Sequence, residues 1–295
     1  MRPPKLSVIV VCISAASVRE KCLAALVPQL VADDVEVLVV GHDDQPNGGA
    51  IRARYPELVW ISTPRATTVP RMRSQAMSRS RGAIVALLED DCVVTDDWCE
   101  QTIRAHAAPF PAIGGPIEPG GDYRPLDWAN YFCEYGRFMA PFLGFVAALP
   151  GNNVSYKRAA LADRKADDGF YDVFFHERLR RSGQALYADP NLVARNVNRW
   201  SLAQLTTTPF HHGKAFAGQR AASFPRWRRW LFAVLTAGLP AIKVVRVARE
   251  VFGRHRNVGY LLRSLHWIAL FALSWSLGEF SGYLIGAGDS PSRWR

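Results

Sequence analysis

The stretch RGAIVALLEDD, residues 81–91, decides the fold of this chain. Its apolar part, residues 84–88, carries no charge and is typical of a strand that is buried on both faces of a parallel sheet. Three acidic residues follow the strand directly: Glu89, Asp90 and Asp91. Because ligands gather beyond the carboxyl ends of the strands in open α/β sheets, this order predicts a ligand site at that edge.

Three similar apolar runs precede this stretch. They cover residues 6–13, 35–40 and 58–62. Between the first two runs, residues 18–31 have apolar positions at helical spacing. Strands that alternate with helices indicate βαβ units, and therefore an α/β fold with a mostly parallel central sheet flanked by helices. Asp43 and Asp44 follow the second run and should lie on the same edge as the three acids.

The chain changes character after residue 108. Residues 109–121 are rich in proline and glycine, and the stretch from there to Phe145 is crowded with aromatic side chains. Such a change indicates that the Rossmann-like part ends here. We therefore expect two halves, residues 1–108 and 109–225, within one domain.

The net charge of +10 is concentrated at one end of the chain. Residues 226–295 carry 11 Lys or Arg against 3 Asp or Glu, which accounts for +8 of it. A basic region beside apolar segments favours attraction to anionic lipid headgroups over nucleic acid, because no basic-aromatic nucleic-acid motif accompanies it. The five cysteines are odd in number and form no CxxC pair, which indicates reduced thiols in the cytosol.

The basic region contains two apolar segments. Residues 230–242 would measure about 20 Å as a helix, against about 30 Å for a hydrocarbon core, so this segment is predicted to be interfacial or re-entrant. Residues 265–287 are long enough to span, but Glu279 offsets most of the insertion energy of this segment. Spanning, a hairpin on the membrane surface and a buried helical subdomain all stay open. The basic residues between the segments favour the cytoplasmic side.

The acids after the strand have the chemistry of a metal site. Side chains at positions 89 and 91 of an extended chain point to the same side. Hard divalent cations such as Mg²⁺ and Mn²⁺ prefer carboxylate oxygens, and such a cation neutralises a diphosphate. Glu89 and Asp91 are therefore candidate ligands of one metal ion, with a solvated acidic loop as the alternative.

Several motifs, in their order along the chain, resemble those of the family 2 glycosyltransferases. Arg73, Gly82 and the run that ends in EDD are similar in type and spacing to the RN, RG and DxD motifs of that family. The resemblance continues with GGP at 114–116, GNN at 151–153, YKR at 156–158 and DGF at 168–170. Each motif is common, but their order and spacing are specific to the family.

The resemblance implies a GT-A fold, a nucleotide-sugar donor, an inverting reaction and Mn²⁺ or Mg²⁺ as the cofactor. It implies Asp91 as the metal ligand, Glu89 as the first acid of the DxD motif and Arg73 as a basic residue near the donor. Further candidates for donor binding are Asp43, Asp44 and Asp90. Gly41 and His42 stand where the family often has an Asp pair, so the choice between UDP and GDP stays open.

The family's catalytic base lies at the start of the helix before an RLxxxG pattern. Residues 171–181 predict that helix, and Gly183 ends it. Counting eleven residues back from Gly183 gives Asp172 as the candidate base, with Asp168 and Glu177 as alternatives.

Two more groups complete the predicted site. A basic loop could close over the diphosphate or complete the metal shell, and its candidates are His211, His212, Lys214 and Arg220. The acceptor could contact Trp128, Tyr131, Asn152 and Asn153. A solvated polar turn and ordinary aromatic packing are the respective alternatives.

The sequence thus predicts a glycosyltransferase domain over residues 1–225 and a helical, membrane-associated tail over residues 226–295. The enzyme would transfer a hexose from a nucleotide sugar to a lipid, lipid-linked or glycan acceptor at the cytoplasmic face of the cell membrane. A non-catalytic, membrane-bound sugar-nucleotide binder or partner subunit and a nucleotidyltransferase are the alternatives. No glycine-rich phosphate loop follows the first strand, which counts against nucleotidyl transfer.

Overall fold

The computed structural model describes residues 2–30, 34–43, 48–162 and 169–293. These residues form two compact units. The sheet unit comprises Met1–Gly121 and Phe138–Asn198, and the helical unit comprises Asp122–Arg137 and Arg199–Arg295. This division differs from the predicted ranges 1–225 and 226–295, because two segments before residue 225 pack with the last helices.

The strands belong to the sheet unit. Among the described residues, eight strands form the larger sheet: β1 (Leu6–Cys12), β2 (Val35–His42), β3 (Val59–Thr63), β4 (Ile84–Glu89), β6 (Ala112–Gly114), β8 (Gly144–Val146), β9 (Asn153–Lys157) and β10 (Leu186–Ala188). A smaller sheet contains β5 (Cys92–Val94), β7 (Ile117–Pro119) and β11 (Ala194–Asn196). The α-helices of this unit are α1 (Ala16–Leu26), α2 (Gly48–Arg54), α3 (Val69–Arg79), α4 (Trp98–Ala105) and α6 (Asp172–Arg181).

The larger sheet has the strand order β3-β2-β1-β4-β9-β6-β10-β8. β1 to β4 run parallel, whereas β9 is antiparallel to both β4 and β6, and β8 is antiparallel to β10. β1 and β4 are almost wholly buried, as their uninterrupted apolar runs predict. The predicted α/β class is therefore confirmed, with a parallel N-terminal half and antiparallel strands in the second half.

A network of hydrogen bonds connects the amino ends of β1, β2 and β4. The backbone N–H of Gly82 donates to Ser7 Oγ (2.7 Å), and this hydroxyl donates to Glu36 Oε1 (2.6 Å). The backbone N–H of Arg81 donates to the same carboxylate oxygen. A Cβ atom on Gly82 would lie 2.6 Å from the backbone nitrogen of Ser7, so glycine is required. The Arg-Gly motif is therefore structural and lies at the edge opposite the acids.

His106, which follows α4, gives the fold a pH dependence. Its Nε2 shares a 2.8 Å hydrogen bond with Ser155 Oγ, and burial, followed by the charge of Lys157, lowers its pKa to about 4. In the unfolded chain the His106 ring takes up a proton near pH ~6.5, whereas in the folded protein it stays neutral down to about pH 4. The contribution of the neutral ring to the free energy of unfolding is therefore complete above pH ~6.5, and up to about 3 kcal/mol of it is lost as the pH falls towards 4. We expect His106→Gln to lack this loss when urea unfolding is measured from pH 7 to pH 4. Equal pH slopes in the two proteins would contradict the assignment.

The helical unit contains α5 (Pro125–Tyr135), α7 (Leu202–Arg220), α8 (Arg226–Leu235), α9 (Leu239–Arg254) and α10 (Val258–Ile285). A 3-10 turn, Thr236–Gly238, joins α8 to α9, so one helical stretch covers Arg226–Arg254. The short segment predicted at residues 230–242 is thus part of a longer helix. Pro240 does not interrupt it, because it lies in the first turn of α9, where no intrahelical hydrogen bond needs its missing N–H.

α7 and α10 pack backbone against backbone. A Cβ atom on Gly278 would lie 2.1 Å from the carbonyl oxygen of Phe210, and one on Gly282 would lie 2.4 Å from that of Lys214. Together these glycines form a G-x-x-x-G pattern, which is common where helices pair inside membranes. This close contact explains why α7 belongs to the same unit as the last helices.

Both long helical stretches expose apolar side chains. Arg226–Arg254 and Val258–Ile285 are long and apolar enough to cross a membrane, and 17% and 50% of their apolar windows are buried. The exposed large side chains of the first stretch include Trp227, Trp230, Leu231, Val234, Leu235, Ile242 and Val245. Those of the second include Leu262, Leu273, Leu277, Phe280 and Ile285. The helical unit therefore presents an extensive apolar surface.

Candidate active site

The carboxylates predicted to hold a metal lie where β4 ends. Glu89 is the last residue of β4 and is paired in register with Val11 of β1, so it lies at the carboxyl edge of the parallel strands. Asp91 occupies the turn between β4 and β5. Asp43 follows β2 at the same edge and is exposed, and Asp44 lies outside the described residues. The edge that the sequence predicted thus contains these acids.

Asp91 is buried, and in the described part of the chain its carboxylate forms no ion pair with a basic side chain. Its Oδ2 accepts a hydrogen bond from Asn196 Nδ2 (2.9 Å), and its Oδ1 accepts one from Cys92 Sγ (3.5 Å). Burial, and after it repulsion from Glu89 and Asp90, raises the pKa of Asp91 to about 7. A divalent cation beside this carboxylate would favour its ionised form, so the site fits a metal ion chemically.

The protein supplies few ligands for such an ion. Within the ranges that the structure describes, no group of three or more His, Cys, Asp or Glu side chains is placed to hold a metal. Glu89 and Asp91 would therefore bind a cation together with water and the phosphates of a donor. Mg²⁺ is commonly bound in this way, by one or two carboxylates and substrate phosphates.

Asp90 faces the loop after β1. It is fully buried, its two carboxylate oxygens accept the backbone N–H of Ser14 at 3.2 and 3.0 Å, and it pairs with Arg19 at 3.5 Å. Arg19 also donates to the carbonyl oxygen of Ser14 (3.1 Å). This carboxylate is thus enclosed and binds the loop that follows the first strand, and its contact with a donor stays a prediction.

Arg73 of α3 joins two parts of the site. Its Nη1 donates to Asp172 Oδ1 (2.8 Å), and its Nη2 donates to Glu89 Oε1 (2.9 Å) and to the carbonyl oxygen of Gly151 (3.1 Å). The Arg73 side chain is 8% exposed, whereas those of Glu89 and Asp172 are 22% and 17% exposed. A buried guanidinium therefore lies between two carboxylates that solvent reaches.

Asp172 is the base candidate that the structure brings to the acids of β4. It is the first residue of α6, where the helix dipole favours an acid. Glu177 of the same helix pairs with Arg181 at 2.9 Å and, among the described residues, forms no ion pair with Arg73, so it stays an alternative. The other alternative, Asp168, lies outside the described residues. The role of Asp172 as the base stays a prediction.

The two asparagines predicted to contact the acceptor are buried and hydrogen-bonded within the protein. Asn153 is 1% exposed, accepts from Trp98 Nε1 (3.0 Å) and donates to the carbonyl oxygen of Leu192 (2.7 Å). Asn152 is also buried, and its Nδ2 donates to Cys92 Sγ (3.3 Å). Both side chains are therefore bound to protein groups of the sheet unit, and their contact with an acceptor stays a prediction.

The aromatic residues predicted for the acceptor fill a core. Trp128 and Tyr131 lie on α5 of the helical unit and are 6% and 0% exposed. The ring of Trp128 stacks on that of Tyr260, with centroids 4.3 Å apart. The packing alternative is thus correct for these two residues, because the apolar face of α5 is covered by α10.

The predicted basic loop is a helix. All its candidates lie on α7 of the helical unit: His211, His212, Lys214 and Arg220. Arg220 donates to the hydroxyl of Tyr283 (3.0 Å). The missed signal was a capping box, in which Ser201 Oγ accepts the backbone N–H of Gln204 (3.2 Å) and begins the helix.

Three residues of the site were not predicted. Asn196 carries no recognisable signal, since it is a lone Asn on a short strand. Arg19 reaches Asp90 from an ordinary helix. Gly151 belongs to the GNN motif, but its contact with Asp172 was not predicted. A Cβ atom on Gly151 would lie 2.6 Å from Asp172 Oδ2. Its signal was present in the sequence, because a glycine in a motif often marks a close approach to the backbone.

The site combines carboxylates at the edge of the parallel half-sheet with a further carboxylate at the start of a helix. This combination indicates the class of protein. The chain is a glycosyltransferase with a GT-A fold. The model of glycosyl transferase family 2 matches residues 7–168, which is more than half of the chain. The protein belongs to glycosyl transferase family 2, and nucleotidyl transfer is thereby set aside.

The solved structures that are similar to this chain include the following two. The mannosyltransferase PcManGT from Pyrobaculum calidifontis, in complex with GDP-Man and Mn²⁺, matches with a TM-score of 0.55 and 17% identity, over 97% of this chain and 86% of that one. A crystal structure of a mycobacterial protein matches with a TM-score of 0.48 and 13% identity, over 69% of this chain and 70% of that one. No curated protein matches significantly in sequence. The likeness to the mannosyltransferase supports the GT-A fold.

Proposed function

We propose that this enzyme is an inverting hexosyltransferase that acts on a lipid, lipid-linked or glycan acceptor, with Asp172 as general base and Mn²⁺ or Mg²⁺ at Asp91 and Glu89. The observation that carries the proposal is the Arg73 guanidinium, which binds Asp172 and Glu89 at 2.8 and 2.9 Å. The base candidate and an acid of the metal motif therefore share one site.

In the proposed reaction, the acceptor hydroxyl oxygen forms a bond to the anomeric carbon while the bond from that carbon to the diphosphate oxygen breaks. The proton of the hydroxyl passes to Asp172, and the bond electrons leave with the nucleoside diphosphate. The cation, when bound, neutralises charge on the diphosphate. Because attack and departure occur on opposite faces of the sugar, the configuration inverts.

The donor is proposed from the chemistry of the site and from one structural neighbour. That neighbour, the mannosyltransferase PcManGT, is in complex with GDP-Man and Mn²⁺. GDP-mannose with Mn²⁺ is therefore the first donor to test. UDP- and dTDP-sugars belong in the same panel, because Gly41 and His42 give no indication of the base.

Membrane association is proposed from the helical unit. The exposed apolar side of the first stretch runs from Trp230 to Val245, about 24 Å of helix, which is close to the ~30 Å of a hydrocarbon core. Arginines flank this part on both sides: Arg226, Arg228, Arg229, Arg246, Arg249 and Arg254. Arginine and tryptophan at such boundaries suit anionic headgroups. The basic residues between the two apolar segments favour the cytoplasmic face.

The experiment that tests the function measures nucleotide release from the donor panel, with membrane extract as the acceptor source and with Mn²⁺ or EDTA. We expect metal-dependent release from one donor, together with transfer of its labelled sugar to an extractable product. Metal-dependent donor binding without any release or transfer would instead favour a sugar-nucleotide binder or a partner subunit.

The tail proposal predicts the behaviour of a charged variant. Trp230→Glu/Val234→Glu places two charges on the exposed apolar side and should lower partitioning into phosphatidylglycerol-containing vesicles at least about 100-fold, since each charge costs roughly 2.5–3.5 kcal/mol in a bilayer core. Co-flotation with vesicles measures the effect. Leu143→Glu is the matched control, because Leu143 is exposed in the sheet unit. Equal flotation of both variants would contradict the proposal.

A further inference from the structure

The ion pair between Arg73 and Asp172 connects residues 99 positions apart and involves only one oxygen of the carboxylate. Arg73 Nη1 donates to Oδ1, while Nη2 is occupied by Glu89 and by the carbonyl oxygen of Gly151. Oδ2 of Asp172 receives none of these bonds. The guanidinium therefore fixes the rotation of the carboxylate and distinguishes its two oxygens.

Gly151 restricts the same carboxylate from another side. A Cβ atom at this position would lie 2.6 Å from Asp172 Oδ2, 2.8 Å from Cγ and 2.9 Å from Oδ1. The carboxylate thus lies flat against the backbone of Gly151, where a side chain cannot be accommodated. Two features therefore restrict the Asp172 carboxylate: the hydrogen bond from Arg73 and the close approach of the Gly151 backbone.

The geometry points to Arg73 as a positioning residue for Asp172: it holds Oδ1 so that Oδ2 is presented to the acceptor hydroxyl. This inference rests on the proposed function, and it assigns Arg73 a different task from the donor contact predicted from the sequence. A side chain with both terminal nitrogens bound to protein groups, and 8% exposed, is poorly placed to bind a diphosphate directly.

Arginine is suited to this task by its shape. The planar guanidinium directs separate N–H groups to Asp172 and Glu89, so a single rigid group sets the distance between the two carboxylates. Lysine has one nitrogen on a flexible chain and cannot fix both directions. A small displacement of a reacting group can reduce a rate about 100-fold, so loss of this group should affect turnover more than donor binding.

A double-mutant cycle tests the inference. Arg73→Met should lower kcat about 100-fold. The dissociation constant of the donor should change less than about threefold when it is measured in EDTA, where the metal site at Glu89 does not contribute. Residues that act as one unit show non-additive losses, so Arg73→Met/Asp172→Asn should be no slower than Asp172→Asn alone. Arg73→Lys should recover only part of kcat, and added guanidinium should increase kcat of Arg73→Ala. Arg79→Met is the matched control, because Arg79 is exposed at the end of the same helix.

Gly151→Ala is the second variant, because it leaves Arg73 in place and adds only a methyl group against the carboxylate. It should lower kcat at least about tenfold with donor binding unchanged. Weakened donor binding of Arg73→Met in EDTA, or losses that multiply in the double variant, would overturn the inference while the proposed function stands. Wild-type protein that is folded and binds donor, yet gives no turnover, would overturn the proposed function and the inference together.

Discussion

Asp172→Asn is expected to lower kcat by about 10²- to 10⁴-fold, which is the usual contribution of a general base. The amide has nearly the same shape but cannot take the proton of the acceptor hydroxyl. Donor binding should be unchanged, since Asp172 would act on the acceptor. Steady-state release of nucleoside diphosphate gives kcat, and calorimetric titration with the donor in Mn²⁺ gives the dissociation constant.

Glu177→Gln is the control for this prediction. Glu177 lies on the same helix, is 45% exposed and pairs with Arg181, so its change should leave kcat within about twofold. Full activity in Asp172→Asn would show that the base lies elsewhere, and a large loss in Glu177→Gln would make that residue the first candidate. Circular dichroism of both variants separates lost chemistry from lost folding.

Asp91→Asn is expected to abolish the metal dependence of donor binding and to lower kcat/KM by about 10³-fold or more, because a cation at a developing charge contributes several kcal/mol. The same change removes a buried carboxyl whose pKa is raised to about 7, chiefly by burial. The melting temperature of Asp91→Asn in EDTA should therefore not fall below that of the wild type. We therefore expect this variant to lose activity and to keep its stability.

The measurement for this second prediction combines Mn²⁺ titration of donor binding with thermal unfolding in EDTA and in Mn²⁺. Wild type should be stabilised by Mn²⁺ together with donor, and Asp91→Asn should not be. Glu100→Gln is the control, because Glu100 is exposed on α4 of the sheet unit and pairs only with Arg104 among its ion pairs there. Unchanged metal dependence in Asp91→Asn would remove the metal site from this position.

Several elements of the fold were predictable from local pattern alone. The runs at residues 6–13, 35–40 and 84–88 correspond to β1, β2 and β4, with bounds that agree to within two residues. Strands buried on both faces need apolar side chains at every position, and this requirement is visible without knowledge of the partner strands. The helix predicted at residues 171–181 is likewise α6, because its end is signalled by Gly183.

Elements whose signals depend on distant partners were missed. β9 enters the larger sheet antiparallel, between β4 and β6, and no periodicity reports the direction of a partner strand. The aromatic residues of α5 resemble a binding platform in sequence, yet Trp128 packs on Tyr260 of α10. A buried aromatic face and an exposed one have the same sequence pattern. Only the position of the partner helix distinguishes them.

The sequence by itself determined the parallel half-sheet, the position of the acids at its carboxyl edge and the membership of the family. Only the tertiary structure decided which groups each acid contacts. It enclosed Asp90 beneath the loop after β1, brought Asn196 to Asp91 across 105 residues, and set Arg73 between Glu89 and Asp172. Local pattern reports which residues are apolar or charged, whereas burial and hydrogen-bond partners arise when distant segments pack together.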